Sequence, residues 1–464
     1  MIDYYFVGIG GVGMSALAGL MIDRGYKVAG SDLADNDLIR GLRLKGAEVC
    51  AGHREGRISP GTGTVVVSSC IPSDNPEVME AVRLGVPVIG RGELLRRVID
   101  GKKRSVGITG THGKTTTTAL AAAMMEKASL APDVLVGGET SEFGGNYSRG
   151  QGDIIVAEID ESDGYFRNIS VGTGVLTNVE REHLENYGTM KELIAAYEAF
   201  IYNISLKGGT LVVNGEDPAV SRLKTPNGID LFTFGFSDSN DMYCRNASYG
   251  RMIEAELFLR GEFLTILKSP MMGRYNLLNI LAAAAAAHVN GCNAEAISEA
   301  AEFFSGVKRR FQKLGDFGGV ELIEDYAHHP TEVKAVLETA KSYSRGRVIA
   351  VFQPHRYSRL RDLIEDFSGC FSDCDILLLT DVYSAHEKDT SGVDPLTLYE
   401  RIKEREGAPE VIYADKEQIP GFVSSIVSVS DTVLVLGAGD INRLCPAIGT
   451  GLRGRPREEK KIVN

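Results

Sequence analysis

The sequence lacks an excess of positive charge, a long hydrophobic run, a paired-cysteine motif and a leader-like opening. Its formal net charge is −12, so there is no electrostatic ground for a nucleic-acid partner, and an anionic substrate must be met by local basic groups. Seven cysteines, at 50, 70, 244, 292, 370, 374 and 445, form no CxxC pair and no zinc spacing. Cys370 and Cys374 would share one face of a helix, where buried free thiols are expected. The most apolar stretch, residues 280–289, is far short of a membrane span. The opening Met1-Ile2-Asp3 is acidic and enters a strand pattern at once, unlike a signal peptide. A reduced, cytoplasmic protein without stable membrane association is expected.

What is present describes a globular enzyme. At 464 residues the chain exceeds one hydrophobic core, and two to four domains are expected. Hydrophobic residues make up 43% and charged residues 24%, an ordinary balance for a soluble protein. Short apolar runs at residues 4–9, 27–29, 65–69 and 86–89 read as strands, with helices at 14–24, 38–45 and 77–84 between them. That alternation predicts a parallel sheet. Residues 96–104 read as a link to a second α/β unit with strands at 105–109, 154–158, 171–177 and 210–214. Its helices are expected from the glycine loop to 128, at 190–201 and at 277–289, and antiparallel strands across 235–267. A third unit, starting near 306–312, has strand patterns at 320–325, 348–352, 376–381 and 433–437 and helical patterns at 330–342 and 360–370. The charged, glycine-rich tail after Gly449 is expected to be mobile.

Two glycine loops carry the chemistry. Gly8-Ile9-Gly10-Gly11-Val12-Gly13 matches GxGxxG between a strand and a helix, where a backbone can approach a diphosphate and the helix N-terminus favours its charge. Asp32 ends the next strand, a place from which a carboxylate can accept from a ribose hydroxyl. The pattern does not say which nucleotide, and NAD is one candidate. Gly110-Thr111-His112-Gly113-Lys114-Thr115-Thr116 is more specific. It offers amides and a lysine to phosphate oxygens and a threonine hydroxyl to Mg²⁺, although Ile108 stands where a strict Walker A sequence has its first glycine.

Phosphoryl transfer needs a metal to spread charge on the γ-phosphate. Residues 157–163 (Ala-Glu-Ile-Asp-Glu-Ser-Asp) and 178–183 (Asn-Val-Glu-Arg-Glu-His) place acidic groups behind two predicted strands, where α/β sheets bind ligands. Their oxygens suit Mg²⁺, and His183 suits that hard ion less. In the third unit, residues 325–330 and 352–359 each follow a strand. Arg356 and Arg359, three apart, could lie on one helical face to grip a carboxylate, or could be a solvated surface pair. The basic run Lys308-Arg309-Arg310 is open in the same two ways.

Taken in order, these segments resemble the Mur ligases over essentially the whole chain. The matching stretches are residues 8–15, Ser68-Ser69, 110–118, 157–164, 177–184, 273–279, 306–312, 325–331 and 352–359. Departures are Glu182-His183-Leu184-Glu185 where Asp-His-Leu-Asp is common, Tyr275 where His is common, and Arg359-Leu360 where Arg-Thr is usual.

The resemblance implies an α/β protein of three domains: a Rossmann-like domain for a UDP-substrate at 1–100, a central P-loop ATPase-type domain at 101–307, and a Rossmann-like amino-acid domain at 308–450 before a charged tail at 451–464. By the same resemblance, Gly10, Gly11, Val12 and Gly13 hold the UDP diphosphate, with Asp32, Ser68 and Ser69 near the uridine. ATP is met by Gly110, Thr111, His112, Gly113, Lys114, Thr115 and Thr116, and by Asn276, Asn279, Arg310 and Asp325. Thr115, Glu158 and His183 serve Mg²⁺, or Mn²⁺ in its place. Lys114, Glu158, His183, Arg310 and Asp325 form the implied catalytic set, and Tyr326, His328, His355, Arg356 and Arg359 line the amino-acid site.

The implied reaction activates the lactyl carboxylate of UDP-N-acetylmuramate as an acyl phosphate, then joins it to L-alanine, in a monomer or homodimer. Three alternatives stand beside it: attachment of a preformed tripeptide to the same UDP-sugar, a dinucleotide-dependent oxidoreductase, and a non-catalytic nucleotide switch. The oxidoreductase leaves the lysine loop idle, and the switch leaves the third unit's histidines and arginines unused.

Overall fold

The first apolar runs form a five-stranded sheet ordered Glu48–Ala51, Val28–Asp32, Tyr4–Val7, Thr64–Val67, Val88–Gly90. All four of its pairings are parallel. This is a computed structural model, and it describes residues 1–385, 387 and 392–453. Phe6, Val7, Val65 and Val66 are fully buried at mid-sheet, as expected for strands covered by helices on both faces. The crossover helices start where side chains can cap them. Asn36 accepts from the Ile39 amide, and Asn75 accepts from Glu77 and Val78 just before Pro76.

One sequence expectation fails here, and one strand was not foreseen. Residues 96–104 are not simply a link, because Arg91–Asp100 is a helix that buries Leu94, Leu95, Val98 and Ile99. Its five charged positions masked that apolar stripe. Glu48–Ala51 was not foreseen, since none of its residues is buried and it carries no apolar run.

The second sheet has ten strands, ordered Glu262–Ser269, Ile253–Leu259, Met242–Tyr249, Asp230–Gly235, Thr210–Asn214, Thr173–Leu176, Arg104–Thr109, Ile154–Glu158, Asp133–Thr140, Gly145–Ser148. The strands expected over 235–267 are present, but Met242–Tyr249 pairs with Asp230–Gly235 in parallel, not antiparallel. An unforeseen antiparallel hairpin, Asp133–Thr140 with Gly145–Ser148, closes the opposite edge.

By contact density the described chain forms two compact units. The first comprises Met1–Ala247, Glu254–Pro270 and Leu278–Val307, and the second Ser248–Ile253, Met271–Leu277 and the chain from Lys308 onward. Both sheets above lie mainly in the first unit and share one continuous apolar core. The hairpin is pinned to the helix Val12–Asp23 by Asn146, whose Nδ2 donates to Val12 O (2.8 Å) and Ser15 Oγ (3.0 Å). Arg24 and the buried Asp133 form an ion pair at 2.7 Å across the same seam.

The second unit is built on a six-stranded sheet, Gln312–Phe317, Val320–Asp325, Thr432–Leu436, Val348–Phe352, Ile376–Leu379, Glu410–Tyr413. Only the first pairing is antiparallel. Apolar clusters cover both faces. The helix expected over 360–370 is two short ones, Tyr357–Asp362 and Ile364–Gly369, divided at Leu363. The tail does not loosen at Gly449: Cys445–Arg453 is a helix that buries Ile448 and Leu452, and the rest of the expected tail lies outside the described residues. No described helix is long and apolar enough to cross a membrane.

Candidate active site

The buried strand Arg104–Thr109 runs into Gly110, and the helix Lys114–Lys127 begins after Gly113. Both glycines have positive φ, 126° and 81°. A Cβ on Gly110 would lie 2.2 Å from Thr177 Oγ1, and one on Gly113 would lie 2.2 Å from Asn279 Oδ1, so only glycine closes this loop. The end of the neighbouring strand stitches the loop in place. Thr111 N–H donates to Asn178 O (3.0 Å), His112 N–H to Asn178 Oδ1 (2.8 Å) and Glu180 N–H to Thr111 Oγ1 (2.8 Å), while the Thr177 hydroxyl donates to His112 O (2.7 Å). The helix's own ladder starts with Thr117 N–H on Gly113 O. The amides of Lys114, Thr115 and Thr116 are therefore the donors its N-terminus offers an anion.

Lys114 Nζ donates to Gly110 O (2.6 Å), Thr111 O (3.0 Å) and Glu161 Oε1 (3.0 Å). Burial would lower the pKa of this ammonium, but Glu161, Asp160 and Glu158 outweigh it and raise the pKa. The Thr115 hydroxyl donates to Glu158 Oε1 (3.2 Å), and Glu158 Oε2 accepts the Gly137 amide (2.7 Å). His183, in a left-handed conformation (φ 56°), stands 3.9 Å from Glu161 and 3.5 Å from Glu185. Burial opposes its protonation, yet Glu185, Glu161, Glu182 and Asp160 raise its pKa. Thr115 and Glu158 thus present adjacent hard oxygen donors, which fit Mg²⁺ or Mn²⁺. His183 is grouped with Glu161.

In the first glycine loop, Gly11 is the N-cap and Val12 the first residue of the helix Val12–Asp23. Gly10 is clamped: its amide donates to Asp32 Oδ2 (2.8 Å) and its carbonyl accepts from Asn36 Nδ2 (3.0 Å). Asp32 was expected to face a ribose. Here it accepts from the loop backbone, with Oδ1 also taking the Ala34 amide at 3.1 Å. Gly13 lies against Arg91, whose Nη1 would be 2.9 Å from a Cβ there. Ser68 packs beside Gly8, its Cβ 3.2 Å from the position a Gly8 Cβ would take, and Ser69 is exposed. Asn279 Oδ1 is brought against Gly113 in this same unit.

The second unit groups the remaining candidates. Tyr326 directly follows the strand Val320–Asp325, and the guanidinium groups of Arg309 and Arg310 lie 4.9 and 5.0 Å from its ring centroid. The rings of Tyr326, His328, His355 and Tyr383 follow one another at 5.3, 5.8 and 5.5 Å. Arg359 Nη1 lies 3.0 Å from His355 Nδ1 and donates to His355 O (2.9 Å). Arg356 and Arg359 do not share a helical face. Arg356 precedes the helix with φ 69°, its amide bonded to Tyr383 O (2.9 Å) and its guanidinium 3.8 Å from Glu387. Arg309 is committed to the fold through Glu324 (2.8 Å) and the carbonyl of Gly437 (2.8 Å). Arg310 is 3.6 Å from Glu332. Asp325 accepts the amides of Phe311 (2.5 Å) and Ala327 (2.6 Å), and burial pushes its carboxyl up to about 6 despite Arg310. The Asn276 side-chain amide donates to Met272 O (2.8 Å).

Three family models align along the chain: "Mur ligase family, catalytic domain" over residues 3–103, "Mur ligase middle domain" over 108–287 and "Mur ligase, glutamate ligase domain" over 309–439. A UDP-N-acetylmuramate--L-alanine ligase from Maricaulis maris is 39% identical over 443 residues, covering 94% of either chain. The chain belongs to the Mur ligase family. A protein of the same name from Carboxydothermus hydrogenoformans is 38% identical to this Mur ligase over 96% of its length and 95% of the relative's. Among solved structures, the UDP-N-acetylmuramate-alanine ligase of Thermotoga maritima superposes with a TM-score of 0.81 at 29% identity, covering 97% of this chain and 98% of that one. A murein peptide ligase from Psychrobacter arcticus shares the fold at TM-score 0.73 with 18% identity, covering 98% and 100%.

Several residues at these sites were missed by the sequence reading. Glu161 lay inside the quoted acidic segment without a role, and Asn178 inside its neighbour. Arg91 and Tyr383 belong to no motif, and only the folded chain brings them to their loops.

Proposed function

We propose that this Mur ligase joins L-alanine to the lactyl carboxylate of UDP-N-acetylmuramate, with ATP converted to ADP and phosphate, in the making of peptidoglycan precursors. The observation that carries this reading is near-full-length similarity, 36–39% identical over 94–99% of the chain, to relatives bearing that activity in their names.

The division of labour would follow the three sheets. Residues 1–100 take the UDP-sugar, 101–307 take ATP and 308–450 bring the amino acid. The lactyl carboxylate attacks the γ-phosphorus and ADP leaves; the alanine amine then attacks the acyl carbon, and phosphate leaves as the amide forms. The chain has little covalent chemistry to do, so its contribution is placement and charge. The amides of Lys114, Thr115 and Thr116 orient the phosphates, and Lys114 exchanges Glu161 for phosphate oxygens. Thr115 and Glu158, supported by His183, would hold Mg²⁺, which spreads the charge of the γ-phosphate when bound. In the second unit Arg359, fixed by His355, and the Tyr326–His328 pair would receive the amino acid.

The test is phosphate release with UDP-N-acetylmuramate, ATP and Mg²⁺, comparing L-alanine, a tripeptide and no acceptor. Release with L-alanine is expected. Release driven by the tripeptide alone would overturn the assignment.

A further inference from the structure

Arg91 opens the helix Arg91–Asp100 directly after the last strand of the first sheet. It belongs to the part of the chain that carries the GxGxxG loop, and its guanidinium lies against Gly13 of that loop. Yet its charge is used elsewhere. Nη2 is 3.1 Å from Asp160 Oδ2 and 2.9 Å from Asp163 Oδ2, and its side chain is only 17% exposed. Both aspartates follow the strand Ile154–Glu158, and one of the two residues between them in sequence, Glu161, grips Lys114 of the phosphate loop at 2.9 Å. The contact is built rather than incidental. Asp160 and Asp163 take the amides of Ser162 and Tyr165 through their other oxygens (3.0 Å each), which aims the Oδ2 atoms at Arg91. Tyr165 in turn packs against Gly92, where a Cβ would fall 2.6 Å from its ring, and its hydroxyl donates to Glu93.

The electrostatic consequence concerns ATP. Beside the phosphate loop four carboxylates, Glu158, Asp160, Glu161 and Asp163, face two permanently basic groups, Lys114 and Arg91, and the imidazole of His183. A polyphosphate entering here meets carboxylates that its own charge repels. Arg91 is the cation in direct contact with two of the four, Asp160 and Asp163. We propose that Arg91 is a positioning residue for ATP: although it lies in the UDP-sugar half, it compensates Asp160 and Asp163 so that the polyphosphate can settle beside them. The inference rests on residues 110–116 being the ATP site.

The experiment is calorimetric titration of ADP, with and without Mg²⁺, into the full chain and three variants. R91A should weaken ADP binding on the order of tenfold, with the loss shrinking as ionic strength rises. R91K, which keeps the charge without the fork, should fall between R91A and wild type. The double variant R91A/D163N removes one of the uncompensated carboxylates and should recover most of the affinity. A purely structural contact predicts the opposite, because the double variant would bind no better than R91A. That result, or an R91A protein binding ADP as wild type does, overturns the proposal. A wild-type chain that binds no ADP removes the ATP reading of the loop itself, a different and separately visible failure.

Discussion

Lys114 Nζ and Glu161 Oε2 lie 2.9 Å apart, so the lysine of the phosphate loop is folded with an internal anion in its grasp. Glu161 is 2% exposed on its side chain, and a carboxylate held there without a cation would be costly. A phosphate must take the lysine over while Glu161 keeps a partner, and His183 at 3.9 Å is the group at hand. Lys114→Ala should lower phosphate release by about a thousandfold or more, while UDP-sugar binding, measured by calorimetry, persists. Loss of UDP-sugar binding instead would mean that substrate had been placed on the wrong sheet.

Gly113 offers a steric test of the same loop. With φ at 81° and Asn279 Oδ1 only 2.2 Å from where a methyl would stand, alanine at this position must displace either the backbone or the asparagine. Gly113→Ala should cost about 1–3 kcal/mol of stability and most of the ADP affinity, read by thermal unfolding and titration. Unchanged ADP binding would show that the loop tolerates another geometry.

Asp325 sets a pH dependence. Burial raises its carboxyl to about 6, so between its ordinary value near 4 and that value the folded chain holds a proton that the unfolded chain has lost. Its contribution to stability is complete below about 4 and is lost as pH rises through about 6. The amount is about 3 kcal/mol. The melting temperature of wild type should therefore drop relative to Asp325→Asn as pH climbs across that window, and the two curves should run parallel above it. A constant difference from pH 4 to 7 would contradict the assignment.

The thiols give a simple measurement. Cys50 and Cys70 are exposed, whereas Cys244, Cys292, Cys370, Cys374 and Cys445 are buried. Burial pushes Cys292 up to about 11 and Cys374 and Cys445 up to about 12, away from the reactive thiolate. An aromatic disulfide reagent should titrate two thiols in the native protein at pH 8 and seven after denaturation. A fast-reacting third thiol would mark an opening of one of the cores.

The central strands were legible because parallel strands covered on both faces are written as largely apolar runs: residues 154–158, 210–214 and 348–352 have the expected bounds. The edge strand Glu48–Ala51 leaves no such trace, because water covers it. The two glycine loops announced themselves through backbone chemistry that only glycine allows. Arg356 did not: spacing suggested a shared face with Arg359, and a positive φ at a non-glycine residue carries no local signature. Arg91 meets its aspartates across 69 and 72 residues of sequence, a distance at which charge pattern has no memory of contact.

The clamp between Asp32 and Gly10 has a practical meaning for anyone redesigning nucleotide choice. A dinucleotide enzyme uses a carboxylate at this point to select a ribose hydroxyl, but this one is already bonded to the loop it would have to read beside. Swapping residues around the glycines would not by itself convert the site to a redox cofactor. An engineer would first have to free Asp32, and give Gly10 another acceptor so that the loop did not unravel.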